Sequence, residues 1–199
     1  TSEIRMKIDA EKAMRWDGVS FFFSGLGTVG KQPSNYVGDK QVTSNIESNA
    51  NTFKLYEAWV QHSIVDSSSS VLFGLHDLNT EFYVTDTSGM FLNGSFGVGK
   101  DLSQSGVNGP SIFPNTALAL RLKTENANHL YTQFGVFEAH AGDVEKPYGT
   151  HIRLRDADGT LLLGEYGWSR PEGYNKKGAA KIAFGAWGYT RTSETLERV

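Results

Sequence analysis

Hydrogen-bonding side chains recur at alternate positions in several segments of this chain: Arg5 and Lys7, Glu57 and Gln61 flanking Trp59, Arg121 and Lys123, and Glu165 among leucines and glycines. Trp187 adds a second large ring in a similar setting. A period of two puts each set on one face of a β-strand. Such a face can hydrogen-bond a polar solute and lay a ring against it, but it offers no activated nucleophile. Other chemistries lack their spacing. His76-Asp77 with nearby serines is sequence adjacency, which does not make a catalytic triad. Gly94 to Lys100 (GSFGVGK) has the glycines of a phosphate loop without its spacing or a strand-to-helix context. Asp156-Ala157-Asp158-Gly159 opens like a calcium loop, but no glutamate follows at the required spacing, so a turn is expected. Glu57 and Glu165 could form a hydrolase pair only with a supporting motif, and there is none. The 5 histidines are scattered and there are 0 cysteines. No metal or cofactor is expected.

A third group of polar residues, Asp77, Asn79, Glu81, Asp86 and Asn93, lies in the long segment from Asp77 to Pro114. That segment is rich in Gly, Ser, Asn and Asp, yet it carries Phe82, Tyr83, Phe91, Phe96 and Phe113. Loops this long are uncommon in compact domains and are usually functional or disordered. The aromatic content argues against disorder, so the segment is expected to fold against something. Asp and Asn in Gly-rich loops are often turn-formers, and Glu81 is the better candidate for chemistry because Glu has little turn propensity.

The elements that must position these residues read as strands. Eight are expected, at about 2–10, 18–29, 52–63, 70–77, 115–123, 129–138, 160–169 and 179–191, with ends good to a few residues. Asp9 to Met14 has the only helical composition, over a stretch too short to matter. Long connections (30–51, 77–114, 140–159) alternate with shorter ones (14–18, 65–70, 124–128, 170–178). This rhythm predicts an up-and-down antiparallel meander with all long loops at one rim. Ile4, Met6 and Ile8 oppose Glu3, Arg5, Lys7 and Asp9. Leu118, Leu120 and Leu122 oppose Ala117, Ala119, Arg121 and Lys123. Leu162, Gly164, Tyr166 and Trp168 oppose Leu161, Leu163, Glu165 and Gly167. Tyr56, Ala58, Val60 and His62 oppose Leu55, Glu57, Trp59, Gln61 and Ser63.

Two folds share this pattern. One is a soluble β-sandwich or barrel, apolar inside, and the other an outer-membrane barrel, apolar outside. Period alone favours the first. Strands of about 9–11 residues, loops polarised to one rim, and aromatics near strand ends (Trp16, Tyr56, Tyr166, Trp168, Tyr189) favour the second. A net charge of −3 without a basic run argues against nucleic acid as a partner. A mean hydropathy of −0.36 and the lack of a long apolar run exclude a transmembrane helix but not a transmembrane barrel. No signal peptide is recognisable, as expected of a mature or trimmed chain.

The blocks LYEAWVQHS, GLHDLNTEFYVTDTSGMFLNGSFGVG, DLSQSGVNGPSIFP and ALALRL resemble the OprB-type carbohydrate-selective porins of bacterial outer membranes. SGLGTVG, SNYVGDKQVTSNIES, QFGVFEAHAGD, YGTHIRL and KIAFGAWGYT continue the resemblance in unbroken order from about residue 18 to 191. The resemblance implies an all-β, antiparallel, up-and-down transmembrane β-barrel of about 16 strands, of which this chain supplies about eight. The chain is accordingly expected to be an N-terminal part of a longer porin, since its tail from Arg191 to Val199 is charged and lacks a terminal aromatic strand. Residues 1–199 would belong to one barrel domain, with 77–114 folded into the lumen as its constriction. The implied function is passive diffusion of monosaccharides such as glucose, with no catalysis. The implied partners are sugar solutes and outer-membrane lipid, as a monomer or a trimer. Lumen and constriction candidates are then Arg5, Lys7, Glu57, Trp59, Gln61, Asp77, Asn79, Glu81, Arg121, Lys123, Glu165 and Trp187. The other reading is a soluble β-sandwich carbohydrate-binding module.

Overall fold

A computed structural model describes residues 1–38, 42–64, 67–143, 145–152, 158–170 and 178–191. The described strands are β1 (Ser2–Asp9), β2 (Val19–Thr28), β3 (Thr52–Ser63), β4 (Ser69–His76), β5 (Ala117–Glu125), β6 (Leu130–Glu138), β7 (Thr160–Arg170) and β8 (Ala180–Tyr189). They form one sheet of 8 strands in sequence order, every neighbour antiparallel. Every expected strand is present, with ends within 2 residues of expectation. The sandwich is ruled out because no second sheet lies across the first among the described residues.

The stretch from Asp9 to Met14, expected to be too short to matter, does form a helix, α1 (Ala10–Met14). Local caps explain it: the Asp9 side chain accepts from the Lys12 N–H, and Arg15 closes the turn in the left-handed region at φ 59°. Further single turns are α2 (Ser34–Val37) and α3 (Lys100–Ser103). The expected turns at 65–70 and 170–178, the loops at 30–51 and 140–159, the calcium-like Asp156-Ala157 and the tail beyond Arg191 lie partly or wholly outside the described residues.

Register gives the two faces opposite characters. Directly paired residues share a face, so Ile8, Phe21, Val60, Phe73, Leu120, Val136 and Leu162 form one continuous apolar row across seven strands. This face is bare: Phe73 is 52%, Leu120 42%, Ile182 61% and Phe184 75% exposed. Patches of this extent mark a surface that is covered by something other than water.

The opposite, inner face holds both the polar groups and the core. Leu78, Phe82, Val98 and Leu102 of the long segment are buried against Ala119, Phe137, Leu161 and Leu163 of β5–β7. Burial of this kind contributes about 1.5–3 kcal/mol per large side chain. Gly135 makes the seat for the Phe82 ring, since a Cβ there would lie 3.0 Å from it. The segment's two ends are also tied together. Buried Ser111 accepts from the Ala117 N–H at 2.7 Å and donates to the His76 carbonyl at 2.6 Å, while its own carbonyl accepts from the Leu78 N–H at 2.8 Å. The long segment is therefore a compact loop laid on the sheet.

One expected alternation fails. At the β2–β3 ladder Ser24 pairs with Glu57 but Gly25 pairs with Leu55, leaving Tyr56 as the extra residue of a β-bulge. The bulge puts Lys54 and Tyr56 on the inner face beside Glu57, and Leu55 on the outer face, reversing the reading for Leu55 and Tyr56. Tyr56 thus leaves the expected set of rim aromatics, as does Tyr189, whose hydroxyl lies 3.0 Å from Ser105 Oγ. Trp16 and Tyr166 remain exposed at 53% and 52%.

Candidate functional site

The inner face gathers its charged groups around the root of the long segment. Arg121 sits mid-strand on β5 and is 1% exposed. Its guanidinium forks onto Glu81, with Nε 2.6 Å from Oε2 and Nη2 3.0 Å from Oε1. Nη2 also donates to Gln61 Oε1 at 2.7 Å, and Nη1 to Ser70 Oγ at 2.6 Å. A planar fork with partners at both terminal nitrogens and an ion pair along its Nε edge holds them in one geometry.

A second set of contacts meets this one at His76. Its Nδ1 is 3.0 Å from Glu57 Oε1 and its Nε2 is 3.6 Å from Glu81 Oε2. Glu57 Oε1 also accepts from the Asp77 N–H at 3.1 Å. The Asp77 carboxylate accepts from Tyr56 Oη at 2.5 Å and from the Asn79 N–H at 2.8 Å. Burial pushes the Asp77 carboxyl up to about 6, with the Tyr56 and Asn79 hydrogen bonds pulling the other way. Burial would also raise Glu81, but the His76 hydrogen bond and the Arg121 charge prevail and hold it below the usual range.

A third anchor lies on β6–β8. Glu165 Oε2 accepts from the Tyr83 N–H at 2.8 Å, and Oε1 accepts from Tyr131 Oη at 2.7 Å and Gln133 Nε2 at 3.1 Å. Lys181 Nζ is 3.7 Å from Glu165 Oε1 and donates to the Val84 carbonyl at 2.7 Å. Gln133 Nε2 also donates to the Glu81 carbonyl at 2.9 Å. Residues 77–84 are therefore strapped to the sheet by side chains from β3, β4, β5, β6, β7 and β8.

The expected site residues divide in two. Glu57, Gln61, Asp77, Glu81, Arg121 and Glu165 come together, and their polar atoms are engaged with one another and with the strap. Asn79 acts within the strap, its Nδ2 donating to the Phe82 carbonyl at 3.3 Å. Asn93 caps a short turn by accepting from the Ser95 N–H at 3.0 Å, and donates to the Val42 carbonyl at 3.2 Å. Trp59 is stacked on Phe22 at 4.9 Å and meets His76 edge-on at 6.2 Å, so its ring serves in packing. Gly74 allows that position, because a Cβ there would come within 2.6 Å of the Trp59 Cα. Arg5 stands apart on the edge strand, paired with Glu3 at 2.6 Å, and Lys7 is exposed on the same strand. Lys123 lies 5.8 Å from the Tyr131 ring centroid, and Trp187 is 39% exposed.

Residues that the sequence did not suggest are His76, Tyr56, Lys54, Tyr131 and Gln133. Lys54 is buried and donates to Asn115 Oδ1 at 2.5 Å. His76 could have been found, since the Ala58–Leu75 pair puts it opposite Glu57 once β3 and β4 are taken as a hairpin. The inward turn of Tyr56 and Lys54 depends on the bulge, which has no sequence signature here.

Two comparisons give this arrangement its family. A family model for carbohydrate-selective porins of the OprB family matches residues 3–198. Among solved structures, the high-pH structure of Pseudomonas putida OprB superposes with a TM-score of 0.74 at 19% identity. The match covers 94% of this chain and 45% of that one, so the chain spans about half the length of the solved porin. No curated protein matches significantly. The chain belongs to the OprB family of carbohydrate-selective porins, β-barrel proteins of the bacterial outer membrane.

Proposed function

We propose that the chain forms wall and infolded loop of a channel through which monosaccharides such as glucose diffuse passively, without catalysis. The carrying observation is the two-faced sheet, with a bare apolar outer surface and an inner surface on which the 77–114 segment is fastened. The outer rows would face outer-membrane lipid and the inner face water. A segment fastened to the inner wall narrows the lumen and acts as its constriction. Selectivity in such a channel comes from width, lining groups and local field, with contacts weak enough to let the solute leave.

The division among the site residues supports two different roles. Glu57, Gln61, Asp77, Glu81, Arg121 and Glu165 hold the constriction in place, so their effect on sugar passage is through its position. Arg5, Lys7, Lys123 and Trp187 present less engaged heads to the lumen and are the contacting groups. Lys123 also borders a hollow of about 330 Å³ lined by Ser63, Ser67, Ser70, Glu81 and Glu125, whose hydroxyls and carboxylates suit a polyhydroxylated solute. Swelling of proteoliposomes that contain the intact protein tests this reading. Glucose influx well above that of a charged solute of equal size is expected. Equal rates for the two, or swelling no faster than in protein-free vesicles, would end the proposal.

A further inference from the structure

We infer that the long segment and the β7–β8 wall enclose a binding slot for a linked saccharide of two or more hexose units, bordered at one end by the Glu165 and Lys181 anchors of the strap. The inference rests on the porin reading above. The slot is a cavity of about 680 Å³ bounded by the segment on one side and the inner residues of β7 and β8 on the other. That volume lies within the range of small-molecule sites, about 300–1,000 Å³.

Its shape comes from residue size along one strand. On β8 the residues lining the inner side run Lys181, Ala183, Gly185 and Trp187. Two small residues between two large ones make a trough whose closing ends, Lys181 and Trp187, stand about 20 Å apart along the strand, six residues at about 3.3 Å each. A single hexose would occupy only part of that length. Trp187, 39% exposed, stands at one end with ring area available to the C–H face of a sugar.

The opposite wall supplies two polar groups, Tyr83 Oη and the Asp101 carboxylate. Tyr83 holds a left-handed backbone conformation at φ 60°, which is uncommon for a non-glycine residue and persists where its surroundings enforce it. Glu165 accepts its N–H and Lys181 donates to the next carbonyl, so both enforcing groups come from the trough's own wall. Gly99 lies beside the Tyr83 hydroxyl and the Asp101 carboxylate: a Cβ there would meet Tyr83 Oη at 2.7 Å and would clash with Asp101 Oδ1. Tyr83 Oη and the Asp101 side chain therefore sit close together, and both residues line the cavity. Among the described residues neither group has a hydrogen-bond partner. A carboxylate next to a phenol can take adjacent sugar hydroxyls, and charge assistance strengthens such bonds.

The test uses the intact protein in planar bilayers, with maltotriose as probe and ion-current blockage as readout. Wild type is expected to show saturable blockage by maltotriose. Asp101→Asn is expected to weaken maltotriose affinity at least fivefold and Tyr83→Phe about threefold, with wild-type heat-modifiable migration confirming that the barrel is folded. Maltotriose affinity unchanged in both variants, in a protein that still passes glucose, would overturn the slot and leave the channel standing. A wild type that passes no sugar would overturn both.

Discussion

Arg121 and Glu81 make an ion pair, buried at the arginine and 22% exposed at the glutamate, whose two ends come from different elements, a strand and the strap laid over it. Removing the arginine leaves the partly exposed Glu81 carboxylate with only His76 beside it, at a cost of up to about 3–5 kcal/mol, the figure for a fully buried pair. Replacing both by apolar groups of similar shape is often close to neutral. Arg121→Met alone should therefore lower stability to guanidinium by several kcal/mol, and Glu81→Leu in the same background should recover most of it. A double mutant as unstable as Arg121→Met would show that the pair does not couple. Asp77 responds to pH in the opposite sense to Glu81. Its carboxyl is raised from 3.8 to about 6, so its contribution to strap attachment is complete below 3.8 and is lost as pH rises through about 6. Glu81 is lowered from 4.5, so its contribution is present above 4.5 and is lost as pH falls through its folded value. Protease cleavage within 77–114 should accelerate between about pH 4.5 and 6, where the Asp77 contribution is being lost and that of Glu81 is already present, and Asp77→Asn should flatten that rise. An Asp77→Asn protein with the wild-type profile would assign the rise elsewhere.

At the level of elements, attachment of the long segment combines an apolar footing with a polar strap. Leu78 and Leu102 are 0% and 1% exposed, at separate points of the segment. Truncating either to alanine removes buried area and leaves a cavity, at about 2–5 kcal/mol. If the segment narrows the channel, Leu102→Ala should raise single-channel conductance and make it noisier, while the barrel keeps its heat-modifiable migration. Unchanged conductance with proven loosening of the segment would show that the narrowest point lies elsewhere. The β3 bulge makes a separate prediction. Deleting Tyr56 would restore strict alternation and keep Lys54 inward, so the sheet should survive without the Tyr56–Asp77 hydrogen bond. Heat-modifiable migration reports the sheet, and faster protease cleavage within 77–114 reports the weakened strap. A deletion that abolishes the migration would make the bulge a requirement for folding.

For the molecule as a whole, the sheet presents its apolar rows to one surroundings and its segment-covered face to another. Phe134 lies mid-strand on the outer face and is 43% exposed. If that face meets lipid, Phe134→Arg should cost about 2–4 kcal/mol, the amount for a cation near the bilayer midplane. Reversible unfolding from lipid vesicles would measure it. A cost near zero would mean that the face meets water or another chain.

The sequence alone determined the strands, their antiparallel order and most of the face assignments, because period-two alternation and loop-length rhythm are local signals, legible along a single chain. Resemblance blocks such as SGVNGPSIFP carried the family. Alternation also placed Glu57, Arg121 and Glu165 on one face, but not what they do there. That Glu81 meets Arg121, that Tyr83 is bonded to Glu165, and that His76 bridges Glu57 and Glu81 depends on how the long segment lies across the sheet. Contacts across 40 and 82 residues of chain leave no periodic trace in a single sequence. Tyr56 turned inward because one extra residue at a bulge shifted a register that alternation treats as unbroken. Tertiary structure thus decided which polar groups hold the long segment against the sheet and which do not: a polar side chain's role is set by the partners it reaches in space.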